Sequence, residues 1–157
     1  MSGISNPHDK FFKETFTRME MARDFFANYL PEEITAVLNL DSLTLQSGSF
    51  VDPDLQEQFA DLLYRVNLQD ESEVYLYLLL EHKSYPDPLT PFQLLRYLVR
   101  IWERDSREGE SLRPIVPVAV YRPRAVAVAL DFGELFTGLV LRRFGPASAT
   151  SYKIYLA

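Results

Sequence analysis

A chain of 157 residues with 47% hydrophobic and 13% aromatic content is long enough for one domain with a proper core and too apolar to be disordered. It has no cysteine, which removes disulfides, zinc–thiolate sites and cysteine nucleophiles, and no apolar run approaches the roughly 20 residues that span a bilayer. The net charge of −6 is divided unevenly, −10 over residues 1–92 and +4 over 93–157, which permits an electrostatic footprint for an anionic partner on the second half. The N-terminus lacks the charged start and apolar stretch of a signal peptide, so a cytoplasmic location without membrane association is expected.

Asn6 and Pro7 suit the N-cap and N1 positions of a helix, and Phe12, Phe16, Met19, Phe26 and Tyr29 recur at helical intervals behind them. A single helix is expected from about 7 to 30. Pro31 restarts a shorter helix through Val37, Leu43 to Gln46 reads as a first strand, and a loop runs from Gly48 to Pro53. Ala60 to Leu68 and residues 74–83 then read as two strands, with polar Gln69 to Glu73 turning the chain, so a hairpin centred near residue 71 is the economical reading. Tyr85-Pro86-Asp87-Pro88 is a rigid turn, and Thr90-Pro91-Phe92-Gln93 reads as a capping box with Pro at N1. The helix it opens should run from 91 to about 107 with Leu95, Leu98, Val99 and Trp102 as its buried stripe.

Ile115 to Tyr121 has the character of a core strand, with Pro117 marking an edge or bulge. Beyond Arg124 a strand over 125–130 and a helix from Asp131 to Leu139 are expected, and the final Tyr152-Lys153-Ile154-Tyr155-Leu156-Ala157 looks like an interrupted strand. The chain therefore reads as a single domain over 1–157, truncated at its C-terminus. The order of elements is α/β, with a central mixed β-sheet flanked by helices, and it matches the topology of a restriction-endonuclease-like core.

The densest chemistry lies where the apolar run Val74 to Leu80 ends in Glu81-His82-Lys83-Ser84. Strand side chains alternate, so Glu81 and Lys83 point one way and His82 the other. A hairpin centred near 71 makes Leu68 face Val74, Leu62 face Leu80 and Asp61 face Glu81, with directly opposed Cβ atoms about 4.5–5.5 Å apart. Two carboxylates that close repel unless a proton or cation lies between them, and a hard divalent ion prefers such oxygens. The spacing thus predicts a Mg²⁺ or Mn²⁺ site. A one-residue slip would put Asp61 on the opposite face.

Asp61 followed by Glu81-x-Lys83 at the end of an apolar strand resembles the PD-(D/E)XK nuclease motif. Asn6-Pro7-His8-Asp9-Lys10-Phe11-Phe12-Lys13, Asp61-Leu62-Leu63-Tyr64, Leu80-Glu81-His82-Lys83-Ser84, Leu94-Leu95-Arg96-Tyr97 with Ile101-Trp102, and Pro114-Ile115-Val116-Pro117 ahead of Tyr121 resemble the Rpn recombination-promoting nucleases, whose members also carry the description of transposases. The likeness covers roughly residues 6–121. It departs at Lys83, where that family often has Gln and this chain has the lysine of the wider superfamily, and at Arg122-Pro123-Arg124, where the family usually continues with His-Gly.

The resemblance implies a Mg²⁺-dependent deoxyribonuclease, with Mn²⁺ able to substitute, acting on DNA in recombination. Asp61 and Glu81 would be metal ligands, and the resemblance adds the main-chain carbonyl of His82. Lys83 would position the attacking water and stabilise charge in the transition state. Gln93 and Tyr97 resemble a Gln-x-x-x-Tyr pair that some superfamily members place beside the metal, although Gln93 is also explained as the capping partner of Thr90, and Tyr97 as packing. His8 matches the opening motif, while Asp9 is explained by the helix dipole.

Arg96, Arg100 and Arg104, with Arg107 a turn beyond, form a stripe away from Leu95, Leu98 and Trp102 that could neutralise a DNA backbone or stand as a solvated, ion-paired helix face. A homodimer would suit double-strand cutting, though no feature demands one. The reading from a different class is a catalytically inactive nucleic-acid- or protein-binding domain that retains the nuclease fold.

Overall fold

The computed structural model describes residues 7–56, 59–81, 89–121 and 127–128. Two helices, α1 (Pro7–Phe16) and α2 (Met19–Tyr29), stand where one was expected from 7 to 30. The break has a local cause. The Thr17 hydroxyl and amide both donate to the Lys13 carbonyl, at 2.6 and 2.9 Å, and Arg18 then turns extended (φ −81°, ψ 115°) to start the second helix. The bend closes an aromatic cluster in which Phe16 lies 5.2 Å from Phe12 and 5.1 Å from Phe25, ring centre to ring centre, with Phe26 5.3 Å from Tyr64.

After the short α3 (Glu32–Thr35), β1 (Leu38–Gln46) begins five residues before the strand read from the sequence and pairs antiparallel with β2 (Phe59–Leu68). β2 pairs antiparallel with β3 (Glu73–Glu81), α4 (Thr90–Arg107) carries the chain across, and β4 (Ile115–Tyr121) returns parallel to β3. The two-residue β5 (Ala127–Val128) adds antiparallel to β4 at Ala119 and Val120, giving a mixed sheet in the order β1-β2-β3-β4-β5. Pro117 is paired with Tyr77 on one side, and β5 pairs only beyond it, so its missing N–H costs no described ladder bond. A helical crossover between parallel strands within a mixed sheet is the restriction-endonuclease-like core that the order of elements predicted. No described helix is long and apolar enough to cross a membrane.

Alternation along β2 and β3 divides the core in two. Even positions, Ala60, Leu62, Tyr64 and Val66 with Val74, Leu76, Leu78 and Leu80, pack against the α1–α3 side, where Phe12, Ala22, Phe25, Phe26 and Ile34 cover them. Odd positions, Phe59 and Leu63 with Tyr75, Tyr77 and Leu79, pack against Leu94, Tyr97, Leu98 and Ile101 of α4. The phase of α4 differs from the expected one. Leu98 is buried as anticipated, but Leu95 and Val99 are 36% and 43% exposed and Trp102 is only partly buried.

The helix carries two apolar stripes, and the sheet selects the one that also brings in Asp105. That residue, 1% exposed, accepts from the Tyr75 hydroxyl at 3.0 Å and from Arg113 at 3.3 Å, while Arg113 also reaches Glu73 and Glu110. The helix start differs as well: Leu89, not Thr90, is the N-cap, and the Gln93 side chain accepts from Arg96 at 3.2 Å.

The hairpin register is displaced by two residues from the expected one. Val66, not Leu68, lies opposite Val74; Ala60 lies opposite Leu80, and Asp61 lies opposite Leu79. The loop is Gln69-Asp70-Glu71, closed by Glu71 N–H to the Leu68 carbonyl (3.0 Å) and Leu68 N–H to the Ser72 carbonyl (2.7 Å), with Glu71 at φ 67°. This is the three-residue connection whose last residue is left-handed, and it centres the hairpin at 70. A two-residue displacement keeps every side chain on its face, so Asp61 and Glu81 still share one. Because Glu71 holds a positive φ that an L side chain resists, Glu71→Gly should raise unfolding stability by roughly 0.5–1 kcal/mol in urea titrations without altering the sheet.

Candidate functional site

Asp61 sits on the α4 face of β2, 2% exposed, and three groups aim hydrogens at its carboxylate. The Ser49 hydroxyl donates to Oδ1 at 2.5 Å; the Phe50 amide and the Tyr77 hydroxyl each donate to Oδ2 at 2.7 Å. A buried carboxylate is tolerable when its lone pairs are met by donors. Glu81, fully buried at the end of β3, is on the same face, two positions beyond the Leu79 that opposes Asp61. The two acids are therefore diagonal neighbours, roughly 7–8 Å apart on the sheet grid and not face to face. Direct opposition would have called for a cation between them. In its place the structure has a wider pair, one member of which is already satisfied by the protein.

The wider spacing and the donor pattern bear on whether an ion fits. Oxygen ligands of Mg²⁺ lie about 2.0–2.1 Å from it, so two on opposite sides are about 4 Å apart, a separation that diagonal Asp and Glu side chains can span. A carboxylate offers about four lone-pair sites; with three taken, Asp61 keeps one, on Oδ1. The pair fits an ion bound by one Asp61 oxygen and by Glu81. Among the described residues no three His, Asp or Glu side chains cluster as a complete site, so further ligands would come from elsewhere. His82 and Lys83, expected to supply a carbonyl and an ammonium, lie outside the described residues, as does the side chain of His8.

Tyr77 is buried against the same carboxylate, and its phenol is held well above its ordinary value near 10, first by burial and then by the negative charge of Asp61. Tyr97 lies in the same apolar cluster from the α4 side, fully buried, its phenol also raised by burial and next by Asp52. Gln93, one turn earlier, is half-buried and turned to Arg96. Of the expected accessory pair, only Tyr97 reaches the cluster that contains Tyr77.

The arginine stripe is engaged by the protein itself. Arg100 donates to the Phe50 carbonyl at 2.9 Å and ion-pairs with Asp52, which Arg96 also reaches at 3.3 Å. Arg104 donates to the Ser47 carbonyl at 3.2 Å and lies 5.0 Å over the Phe50 ring. These side chains hold the 47–52 loop, while Arg96 and Arg100 keep 43% and 34% of their side-chain surface exposed. Ser49, Phe50, Asp52 and Tyr77 were absent from the expected site. Tyr77 alone had a signal, since it shares parity with Glu81.

Residues 6–147 match the protein family described as "Putative transposase, YhgA-like". The chain belongs to this family. The YhgA-like match runs past Tyr121, so Arg122-Pro123-Arg124 does not interrupt it. Among curated proteins the chain is 34% identical over 128 residues to "Recombination-promoting nuclease RpnC" of Escherichia coli strain K12, covering 81% of this chain and 42% of that protein. It is 36% identical over 118 residues to "Recombination-promoting nuclease RpnA" of the same strain, covering 74% and 40%. It is also 34% identical over 121 residues to that strain's "Inactive recombination-promoting nuclease-like protein RpnE", covering 76% and 40%. The chain thus spans about two fifths of the length of these curated relatives. No solved structure matches it.

Tyr77→Phe removes one donor from a buried carboxylate and should destabilise the fold by about 1.5–3 kcal/mol near pH 8. The pH dependence has a definite sign. With the folded phenol held above the ordinary value near 10, the unfolded chain ionises first, so this contribution is complete below about pH 10 and is lost as pH rises beyond it. Urea titrations from pH 8 to 11 should show a smaller alkaline loss in Tyr77→Phe than in the parent.

Proposed function

We propose that this chain is the catalytic domain of a Mg²⁺-dependent deoxyribonuclease that hydrolyses phosphodiester bonds in DNA, with Mn²⁺ able to substitute. The observation that carries this reading is the pair Asp61 and Glu81, two carboxylates buried on one face of adjacent strands beneath α4. Similarity to proteins named recombination-promoting nucleases supports it and supplies the substrate class. A DNA substrate and a cysteine-free chain suit a cytoplasmic setting.

In this mechanism Asp61 presents the free lone pair of Oδ1, fixed in direction because Ser49, Phe50 and Tyr77 occupy the others. Glu81 supplies the second oxygen ligand, and the His82 carbonyl a third. A bound Mg²⁺ would supply water activation, charge neutralisation at phosphorus and help for the leaving oxygen. Lys83, two residues beyond Glu81, orients the attacking water and balances negative charge on the transferring phosphate. Tyr77, held protonated, keeps donating to Asp61 throughout the neutral range.

A second reading, favoured by the likeness to a relative named inactive, is a binding domain that keeps the fold without cutting. Incubation with supercoiled plasmid in Mg²⁺, Mn²⁺ or EDTA separates the two. The nuclease reading expects metal-dependent nicking that falls at least a hundredfold in Asp61→Ala and Glu81→Ala. Nicking that survives both substitutions or proceeds in EDTA rejects it, and binding of the plasmid without cutting favours the second reading.

A further inference from the structure

Residues 47–52 touch Asp61 on one side and α4 on the other. Ser49 and Phe50 give two of the three hydrogen bonds to the carboxylate. From α4, Arg104 holds the Ser47 carbonyl at 3.2 Å, Arg100 holds the Phe50 carbonyl at 2.9 Å, and Arg100 and Arg96 together hold Asp52. Phe50 is the joint, because one peptide residue offers its N–H to Asp61 and its C=O to Arg100. At Gly48 the loop is open: it has φ +98° and a side chain there would meet nothing within 4 Å. The path beyond it is set by the buried Val51, by Phe50 packed on the same core and by these polar contacts.

We infer that Arg100 is a positioning residue for the carboxylate site, holding the Phe50 peptide so that its amide keeps Asp61 aimed toward Glu81. The inference rests on the nuclease reading for its catalytic consequence, though the clamp itself does not. A guanidinium is suited to this task because its planar fork meets a carbonyl and a carboxylate at once, whereas a lysine ammonium is a single point on a flexible stem. Asp52, 16% exposed at its side chain, is the anchor that keeps the fork from turning outward to solvent. The rival role for Arg100 is a DNA phosphate contact, which would act on substrate affinity and its salt dependence.

The test compares the full chain with Arg100→Ala, Arg100→Lys and Asp52→Ala by amide hydrogen exchange, Mn²⁺ titration followed by electron paramagnetic resonance, and plasmid cleavage at several salt concentrations. In Arg100→Ala the Phe50 amide should exchange at least tenfold faster while interior amides of β2 and β3 keep their protection. Mn²⁺ affinity should weaken about tenfold, and kcat should fall roughly ten- to a hundredfold, the scale for misplacing a reacting group by about an ångström. KM and the slope of log KM against log salt should not change. Asp52→Ala should reproduce this pattern, the double variant should be no worse than either single one, and Arg100→Lys should fall between.

Unchanged Phe50 exchange, or a raised KM with a salt slope smaller by about one, overturns the inference in favour of a phosphate contact. Should Arg100→Ala fail to fold, Arg100→Lys carries the same comparison. A parent chain that neither binds Mn²⁺ nor nicks plasmid defeats the nuclease reading separately. Phe50 exchange then still decides the clamp, upholding it if faster in the variants and rejecting it if unchanged.

Discussion

Side chains of an extended strand must alternate, and in β2 and β3 that constraint assigns two different tasks to two faces. Even positions are uniformly apolar and bury the aromatic residues of α1 and α2. Odd positions mix large apolar and aromatic groups with Asp61 and Glu81, and lie under α4. Both faces of the central hairpin are therefore covered, which explains why β3 reads as a continuous apolar run and not as an alternating one. It also explains why two acids can be buried at all. They share a face whose apolar positions, Phe59, Leu63, Tyr75, Tyr77 and Leu79, are packed under α4.

Burying a carboxylate costs several kcal/mol unless donors replace its water. For Asp61 those donors come from two places: the hydroxyl and amide of adjacent loop residues Ser49 and Phe50, and a phenol from the neighbouring strand. Among the described residues no arginine touches it, although α4 brings Arg100 and Arg104 to the same loop. The cations act one step away, on the carbonyls and on Asp52. Neutral donors around the acid and cations around the donors leave the carboxylate able to accept a further positive ligand, which a direct guanidinium partner would have displaced.

The positions of β2, β3, β4 and the crossover helix were legible to within a residue or two, because apolar runs bounded by polar turns and prolines mark them directly, whereas β1 begins five residues earlier than its apolar pattern suggested. The hairpin register was not, because it depends on whether Glu71 takes a left-handed conformation. Asn or Gly would have announced such a residue, and Glu does not. The phase of α4 was obscured by two overlapping apolar stripes, and the choice between them was made by Asp105 meeting Tyr75 and Arg113 from other elements. The arginine stripe was visible as a stripe, but its partners lie about fifty residues earlier in the chain. Local charge patterning has no reach over that distance. For the candidate site, the acids and their shared face were legible, while the loop that holds Asp61 was not.

That Asp61 is held by the protein's own hydrogen bonds bears on what a bound ion would do for the fold. If the carboxylates were mutually opposed and unsatisfied, the ion would be part of the folding energy, and losing either acid would endanger the core. Here Asp61 is satisfied within the protein, and both faces of the sheet are closed by apolar packing. The ion is therefore not needed to satisfy Asp61, whereas loss of the acid itself would leave the Ser49, Phe50 and Tyr77 donors unpaired. The relatives include some named nucleases and some named inactive. In the proposed mechanism cutting would rest on Asp61, Glu81 and Lys83 and on how firmly the 47–52 loop holds Asp61.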